Sequence, residues 1–226
     1  MKDWKSEGEN FKLTGLEMDT IENGNVRITS RYLFLATQSK AEVRHLIYPD
    51  GKVQIDFGIT IPEKATNVPR IGLQFEIDKE LQNIMWYGRG QFENYCDRKT
   101  ASAFGIYEAK INSWITSYVK PQENANRCDI RWISFTNQSK GGIQFSTPVT
   151  NSLSVSAWPY TQNELGTSRH DFELKEHKRT VVNIDCAQMG VGGDNSWGLP
   201  VLEKYQLKPG KYYYSFFINC NIFTQK

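Results

Sequence analysis

The chain has 226 residues, with 27 Lys and Arg against 25 Asp and Glu, so its formal net charge at pH 7 is only +2. This length is sufficient for a large domain with a well-buried core. The basic residues are scattered, so neither a nucleic-acid-binding surface nor an anionic-membrane-binding surface is predicted. No run of 18 or more apolar residues is present to span a membrane. No signal peptide is expected either, and the compartment stays open, with the cytoplasm slightly favoured and the periplasm possible.

Four cysteines are present, Cys96, Cys128, Cys186 and Cys220, and they are too widely spaced to form a Cys-x-x-Cys pair. An oxidising compartment would allow them to form two disulfides. Because a chain of this size does not need such cross-links, four reduced and mostly buried thiols are the preferred interpretation. No cluster of His, Cys and Asp has the spacing of a zinc site, and no cofactor is expected in this chain.

Strand signals dominate the sequence. Residues 53–61 alternate strictly, with an apolar side chain at every odd position and a polar residue or Gly at every even one. This alternation predicts a strand with one buried face. The Tyr-Pro-Asp-Gly at residues 48–51 is typical of a tight turn, so a hairpin is predicted over residues 41–61. Another strand is predicted over residues 26–35, entered through the turn at Asn23-Gly24.

Further strands are predicted at residues 70–77, 129–137, 142–146, 152–157 and 180–184. A last strand follows a Lys-Pro-Gly turn and places on one face Tyr212, Tyr214, Phe216 and Ile218. One helix start is clear, since Thr161 and Glu164 have the spacing of a capping box, and Gly166 keeps that helix short. The sequence contains neither internal repeats nor a linker, so residues 1–226 are predicted to form one domain, an all-β, large antiparallel β-sandwich.

Three segments carry a resemblance to a known family. They are WYGRGQFENYCDR at residues 86–98, YVKPQENANR at residues 118–127, and NID followed by QMGVGGDNSWG within residues 183–198. With these segments, in this order, the chain resembles the C-terminal domain (small chain, domain 5) of glycoside hydrolase family 2 β-galactosidases, which is galactose-mutarotase-like. One departure is Gln91, where the family often has Pro, and it predicts only a change in loop stiffness.

The resemblance implies a β super-sandwich that lacks the opening strands of the family's domain, which would precede the position matched by Trp4. It also implies that the catalytic carboxylates belong to a barrel, located in upstream domains or in a large subunit. The intact enzymes hydrolyse terminal β-D-galactosides such as lactose and use Mg and Na ions bound mainly in other domains. The chain alone is therefore expected to be inactive.

Glycoside hydrolysis requires two carboxyl groups roughly 5–9.5 Å apart across the scissile bond. The acidic residues considered for this role are Glu93, Asp97, Glu123, Asp185 and Asp194. Each is interpreted as a loop or strand-end carboxylate that accepts from turn amides or pairs with an arginine. Nothing in the sequence indicates the raised pKa that a proton donor requires. No catalytic residue is therefore assigned.

Three histidines, His45, His170 and His177, raise the alternative of an epimerase-like acid and base, because the mutarotase superfamily works with a His and a Glu. His45 falls within an alternating strand, whereas His177 lies in a run of charged residues. Their scatter favours a sheet residue and two surface residues over a catalytic pair.

The glycine-rich segment 190–198 contains the one residue assigned to a site. A phosphate-binding loop would require a helix after it, but Gly-Leu-Pro follows here. The glycines instead predict an irregular loop that projects Trp197 outward. An indole can stack on the C–H face of a pyranose. The resemblance implies that Trp197 reaches the barrel mouth and stacks on the incoming disaccharide, whereas the alternative is a Trp that fills the core.

Three functions remain open on the sequence: a non-catalytic domain of a β-galactosidase, a separate small subunit that docks on a barrel subunit, and a free-standing epimerase-like or carbohydrate-binding module. Self-association is also expected. A sandwich without its first strands leaves a sheet edge and apolar side chains exposed near residues 26–35 and 53–61, for a second copy to cover. The alternative is that the N-terminal residues around Trp4 fold back as a partial plug.

Overall fold

The computed structural model describes residues 4–8, 10–148, 151–193, 195 and 197–220. The strands in this part of the chain are β1 (Phe11–Thr20), β2 (Val26–Phe34), β3 (Lys40–Ile47), β4 (Val53–Thr60), β5 (Arg70–Asp78), β6 (Asn83–Arg89), β7 (Phe104–Lys110), β8 (Arg127–Ile130), β9 (Trp132–Thr136), β10 (Gly142–Ser146), β11 (Leu153–Trp158), β12 (Arg179–Gln188) and β13 (Lys211–Asn219). Three short helices accompany them: α1 (Trp4–Glu7), α2 (Ile111–Trp114) and α3 (Gln162–Thr167). No helix in the described ranges has the length and apolar character needed to cross a membrane.

The strands form two antiparallel sheets. The larger has the order β1-β2-β3-β4-β13-β10-β9-β6-β7, and the smaller has the order β5-β12-β11-β8. The sheets pack face to face. Phe75 of the smaller sheet and Phe216 of the larger sheet have ring centroids 6.0 Å apart, and the Tyr214 hydroxyl of the larger sheet donates to the Ile184 carbonyl of the smaller one at 2.8 Å. This architecture confirms the predicted all-β antiparallel sandwich. That residues 1–226 form a single domain stays a prediction.

Most of the predicted strands are present. Ile55, Phe57 and Ile59 are buried, as their alternation predicts. The Asn23-Gly24 turn precedes β2, and both residues have positive φ, 63° and 73°. Asparagine and glycine tolerate this region better than other residues, so the turn sets the start of the strand.

Two features differ from the sequence-based expectation. The strand predicted over residues 129–137 is divided between β8 and β9, because the Arg131 amide leaves the ladder and donates to the Tyr87 carbonyl at 2.8 Å. In addition, β1, β6 and β7 are present although their sequences did not indicate them. In β1 the pairing with β2 shifts between Leu13 and Gly15, and this bulge at Thr14 breaks the period-two pattern.

The inner face of the larger sheet is partly uncovered, because four strands cannot cover nine. Residues paired directly across neighbouring strands lie on the same face of a sheet. The buried Tyr214 of β13 pairs with Phe57, Phe57 with Val43, Val43 with Ser30, and Ser30 with Leu16 of β1, so Leu16 lies on the inner face. Leu16 is 64% exposed there, although its face is the one that packs against the smaller sheet near β13.

The bulge keeps the apolar residues of β1 on this inner face. Four apolar residues of β1 pair with residues of β2: Phe11 with Phe34, Leu13 with Tyr32, Leu16 with Ser30, and Met18 with Ile28. We call these four β1 residues the β1 apolar row; all are exposed, Met18 at 73%. The opposite face carries ion pairs between Arg27 and Asp19 and between Arg31 and Glu17, at 2.8 and 2.7 Å.

All four cysteines are free thiols, but they are less buried than expected. Cys128 alone among them is buried, Cys96 and Cys186 are half-buried, and Cys220 is exposed. Burial raises the pKa of the Cys128 thiol to about 11, so this thiol stays protonated at neutral pH.

Candidate functional site

The three segments that carry the family resemblance meet at one end of the sandwich. Asn94 of the first segment and Asn126 of the second make two hydrogen bonds with each other. The Asn94 backbone amide donates to the Asn126 carbonyl, and the Asn126 side-chain amide donates to the Asn94 carbonyl, both at 2.8 Å. The third segment joins them through Cys96, whose thiol donates to the Gln188 carbonyl at 3.3 Å. The shared polar contacts therefore connect loops that are distant in sequence.

Glu93 is a buried acceptor between the first two segments. It accepts from the Arg98 guanidinium at 2.6 Å, from the Ala125 amide at 2.8 Å and from the Tyr118 hydroxyl. Burial alone would raise the pKa of Glu93, but the hydrogen bonds from Tyr118 and Ala125 and the Arg98 charge together hold that pKa below its ordinary value. Glu93 is thus an ionised structural carboxylate and not a proton donor at neutral pH.

Asp185, in the third segment, belongs to a second buried network. Arg70 donates to its Oδ2 atom at 2.8 and 3.1 Å, and also contacts Glu123 at 3.5 Å. Burial raises the pKa of Asp185 to about 6, against the opposing charge of Arg70. The Tyr95 hydroxyl donates to Glu123 at 3.3 Å. Both carboxylates therefore have protein partners that account for their placement.

Asp129 anchors the first segment to β8. It accepts from Arg89 at 2.6 Å and from Lys99 at 2.9 Å. Burial would raise the pKa of Asp129, but the hydrogen bonds and charges of Lys99 and Arg89 together lower it. Arg89 also donates to the Lys99 and Ser102 carbonyls, so the loop after β6 is held at several points.

Arg127 fills the space between the first segment and α2. Its guanidinium lies 4.2 Å from the Trp114 ring centroid and donates to the carbonyls of Trp114 and Gln91. Burial lowers the pKa of Arg127 to about 10. Gln91, the residue at which the sequence departs from the family, is therefore held through its backbone.

The acidic residues of the three segments act as acceptors wherever the structure describes them. Glu93, Asp97, Glu123 and Asp185 each accept from protein donors. Asp194 lies outside the described residues. Among the described residues, no group of three or more His, Cys, Asp and Glu is arranged to hold a metal ion.

The three histidines lie in different environments. His45 is half-buried on β3, and burial lowers its pKa. His170 stacks on Phe172 with 5.2 Å between ring centroids. His177 lies 3.4 Å from Glu76. Each histidine thus has its own neighbours, as the interpretation of a sheet residue and two loop residues requires.

Trp197 lies on the loop at residues 189–202, which has neither helix nor strand where it is described. Its side chain is 92% exposed, so the alternative of a core-filling Trp is wrong for this structure. Its amide donates to the Asn195 side chain at 2.9 Å, and Gly198 follows with φ of 92°. We call residues 189–202 the Trp197 loop.

Both ends of the Trp197 loop are fixed. At the start, the Gly190 amide donates to the Tyr205 carbonyl at 2.9 Å, and the Gly192 amide donates to Asp97 Oδ2 at 2.7 Å. At the end, the Gln206 side chain donates to the Val201 carbonyl at 2.7 Å. The contact made by Asp97 was missed by sequence reasoning, because Asp97 lies 95 residues before its partner.

The two packed antiparallel sheets with long connecting loops define a large all-β sandwich domain. The profile of the family described as Beta galactosidase small chain matches residues 1–218. The chain belongs to this β-galactosidase small-chain family.

Individual relatives agree with this assignment. The β-galactosidase of Priestia megaterium is 32% identical over 185 residues, which cover 81% of this chain and 17% of the relative. That of Streptococcus thermophilus is 31% identical over 215 residues, covering 94% of this chain and 21% of the relative. The chain thus spans about a fifth of the length of the curated relatives it matches.

Solved structures show weaker similarity. A GalM/aldose epimerase homologue from C. elegans superposes with a TM-score of 0.42 at 11% identity, over 90% of this chain and 67% of that one. A GH36 α-galactosidase from Geobacillus stearothermophilus superposes with a TM-score of 0.43 at 7% identity, over 92% of this chain and 25% of that one. At these values neither similarity supports an assignment of function.

We expect Glu93→Gln to lower the free energy of unfolding by about 2 kcal/mol at neutral pH, because an amide cannot accept all three donors of Glu93. Because the pKa of Glu93 is lowered on folding, its contribution is present above its ordinary value of 4.5 and is lost as the pH falls through the folded-state value. Urea unfolding at neutral pH and at several pH values below 4.5 measures the difference.

The matched control is Glu63→Gln, at an exposed position, which should change the stability little at any pH. An equal loss for Glu93→Gln at neutral and acidic pH would show that Glu93 does not act as an ionised acceptor.

Proposed function

We propose that the chain is a non-catalytic part of a β-galactosidase and that it supplies Trp197 to a sugar site completed by a barrel-carrying part of the enzyme. The intact enzyme would hydrolyse terminal β-D-galactosides such as lactose. The observation that carries this proposal is the 92% exposed indole on a loop whose two ends are fixed, in a chain of the β-galactosidase small-chain family.

The chemistry of an indole supports the role of Trp197. The exposed indole offers a large, flat apolar surface that a ligand can cover. The ring is flat and suits the C–H face of a pyranose, while its N–H remains a donor for a sugar hydroxyl. A loop held at its base lowers the entropy lost on binding, which favours affinity.

Bond cleavage is assigned to the barrel-carrying part, on the same polypeptide or on a separate subunit. Glu93, Asp97, Glu123 and Asp185 are used as internal acceptors, so they do not offer a free acid and base. The Mg and Na ions of the intact enzyme are likewise assigned mainly to its other domains.

The isolated chain is expected not to hydrolyse an aryl β-galactoside above background. The measurement is release of the chromophore by purified chain, beside the chain combined with its barrel-carrying part as the positive control. Turnover by the isolated chain that survives purification and disappears on substitution of a single Asp or Glu would contradict the proposal.

In the intact enzyme, Trp197→Ala is expected to raise KM for the disaccharide up to about thirtyfold, from a loss of about 1–2 kcal/mol of stacking. It should also weaken transglycosylation while kcat stays nearer to normal, since a platform at the mouth contributes mainly to ground-state binding. Steady-state kinetics give the two constants separately.

Phe172→Ala is a suitable control, because Phe172 is another exposed aromatic residue, at 81%, and lies on a different segment. It should leave both constants unchanged. If kcat collapsed in Trp197→Ala while KM stayed constant, Trp197 would act on the transition state and the proposed role would be incorrect.

We further propose that the isolated chain self-associates through the β1 apolar row. The expected open edge near residues 26–35 and 53–61 is wrong, because β2 and β4 are each paired on both sides within the larger sheet. The edge strand is β1 instead, so the backbone groups on its outer side have no ladder partner within the larger sheet. The apolar row lies beside this edge, whereas the other face carries charged residues, including the ion pairs Arg27–Asp19 and Arg31–Glu17. A second copy that covers the edge and the row would bury apolar side chains and leave this charged face in water.

Leu16→Glu is therefore expected to weaken self-association, because it places a charge in the covered surface. Sedimentation at increasing protein concentration up to about 100 μM, which would populate even a weak micromolar interface, measures the effect. Val119→Glu is the control, since Val119 is 79% exposed on a loop away from β1. A strictly monomeric unmodified chain over this range would show that the sandwich closes without a partner.

A further inference from the structure

Among the residues that the structure describes, Asp97 of the first segment hydrogen-bonds to the glycine-rich start of the Trp197 loop. Asp97 Oδ2 accepts the Gly192 amide at 2.7 Å. Gly192 lies five residues before Trp197, so this hydrogen bond is placed where the chain leaves the sandwich for the loop tip. The direction in which the loop leaves is therefore set in part by Asp97.

The glycines of the loop fit closely around Asp97. A Cβ atom at Gly190 would lie 2.6 Å from Asp97 Cγ, and one at Gly192 would lie 3.1 Å from Asp97 Oδ2. Both distances are shorter than ordinary van der Waals contact. Glycine is thus required at Gly190 so that the backbone can lie directly against the carboxylate.

The residues on both sides of Asp97 are themselves fixed. Cys96 donates to the Gln188 carbonyl, Arg98 to Glu93, and Lys99 to Asp129. Asp97 therefore projects from a segment whose neighbouring residues are held by β12, by β8 and by Glu93 of the same segment. Such a support gives the contact with Gly192 a defined position.

The two oxygens of Asp97 differ in their contacts. Oδ2 accepts the Gly192 amide, whereas the buried Oδ1 accepts no hydrogen bond from the described residues. Among those residues, the hydrogen bond from the loop to Asp97 is therefore made through Oδ2.

We propose that Asp97 is a positioning residue that sets the orientation of the Trp197 loop and so controls how well Trp197 meets the sugar. The proposal rests on the proposed function of Trp197. Asp97 itself does not contact the substrate, and it acts through the Gly192 amide.

The first test measures the order of the loop, without any sugar. In Asp97→Ala the Gly192 amide loses its acceptor, so its hydrogen exchange should become about tenfold faster. The fluorescence anisotropy of Trp197, obtained by difference from the Trp197→Phe chain, should fall. Asp97→Asn keeps an oxygen that can accept from Gly192, so it should restore most of both values. Urea unfolding of each variant verifies that the sandwich is folded.

The second test uses the intact β-galactosidase. Asp97→Ala is expected to raise KM for the disaccharide about three- to tenfold with little change in kcat, as loss of one hydrogen bond allows. Asp97→Asn should stay close to the unmodified enzyme. In a Trp197→Ala background, Asp97→Ala should have no further effect on KM, because its action requires the indole.

The two tests separate the two proposals. If Trp197→Ala leaves KM unchanged, the proposed function fails, and exchange at Gly192 together with the Trp197 anisotropy still decides the role of Asp97. If exchange and anisotropy are unchanged in Asp97→Ala, or if Asp97→Ala raises KM equally with and without Trp197, Asp97 does not position the loop.

Discussion

The irregular segments at one end of the sandwich need hydrogen-bond partners that no strand supplies. Buried peptide groups outside a ladder are costly unless a side chain or another loop satisfies them. Asn94 meets this need for its neighbours, since its side-chain oxygen accepts the Cys128 amide at 2.8 Å and its amide group donates to the Phe92 carbonyl at 3.0 Å. Glu93 does the same for Ala125. The first two segments that carry the family resemblance are held together in part by these acceptors.

This requirement explains why polar and charged residues are abundant in the segments that carry the family resemblance. Arg127 is buried on the ring of Trp114 while donating to two carbonyls, and Asp185 is buried beside Arg70. Buried charges in such positions contribute little net stability, because well-packed hydrophobic residues in their place often make a protein equally or more stable. We interpret these charges as specifying one arrangement of the loops, on which the Trp197 loop is built.

The alternation of apolar and polar residues was enough to predict those strands in which every second side chain faces the core. The hairpin of β3 and β4 and the strand β13 are of this kind. β1 was not predicted, because the bulge at Thr14 reverses the phase of its apolar alternation along the sequence. In the structure the same bulge keeps its apolar residues on one face. For the site, the sequence indicated an exposed Trp197, whereas the contact between Asp97 and Gly192 depends on tertiary packing that no local pattern encodes.

The β1 apolar row and the exposed Trp197 differ in shape, and the shape indicates what each can contact. Ten residues of β1 extend over about 33 Å, and its apolar row lies beside an open strand edge. A surface of this length suits another sheet, which can supply both side chains and a backbone ladder. Trp197 presents a single ring on a loop, too small for a protein interface by itself and well matched to one pyranose. The two proposed partners, a second copy at the β1 apolar row and a sugar at Trp197, are therefore assigned to different surfaces of the chain.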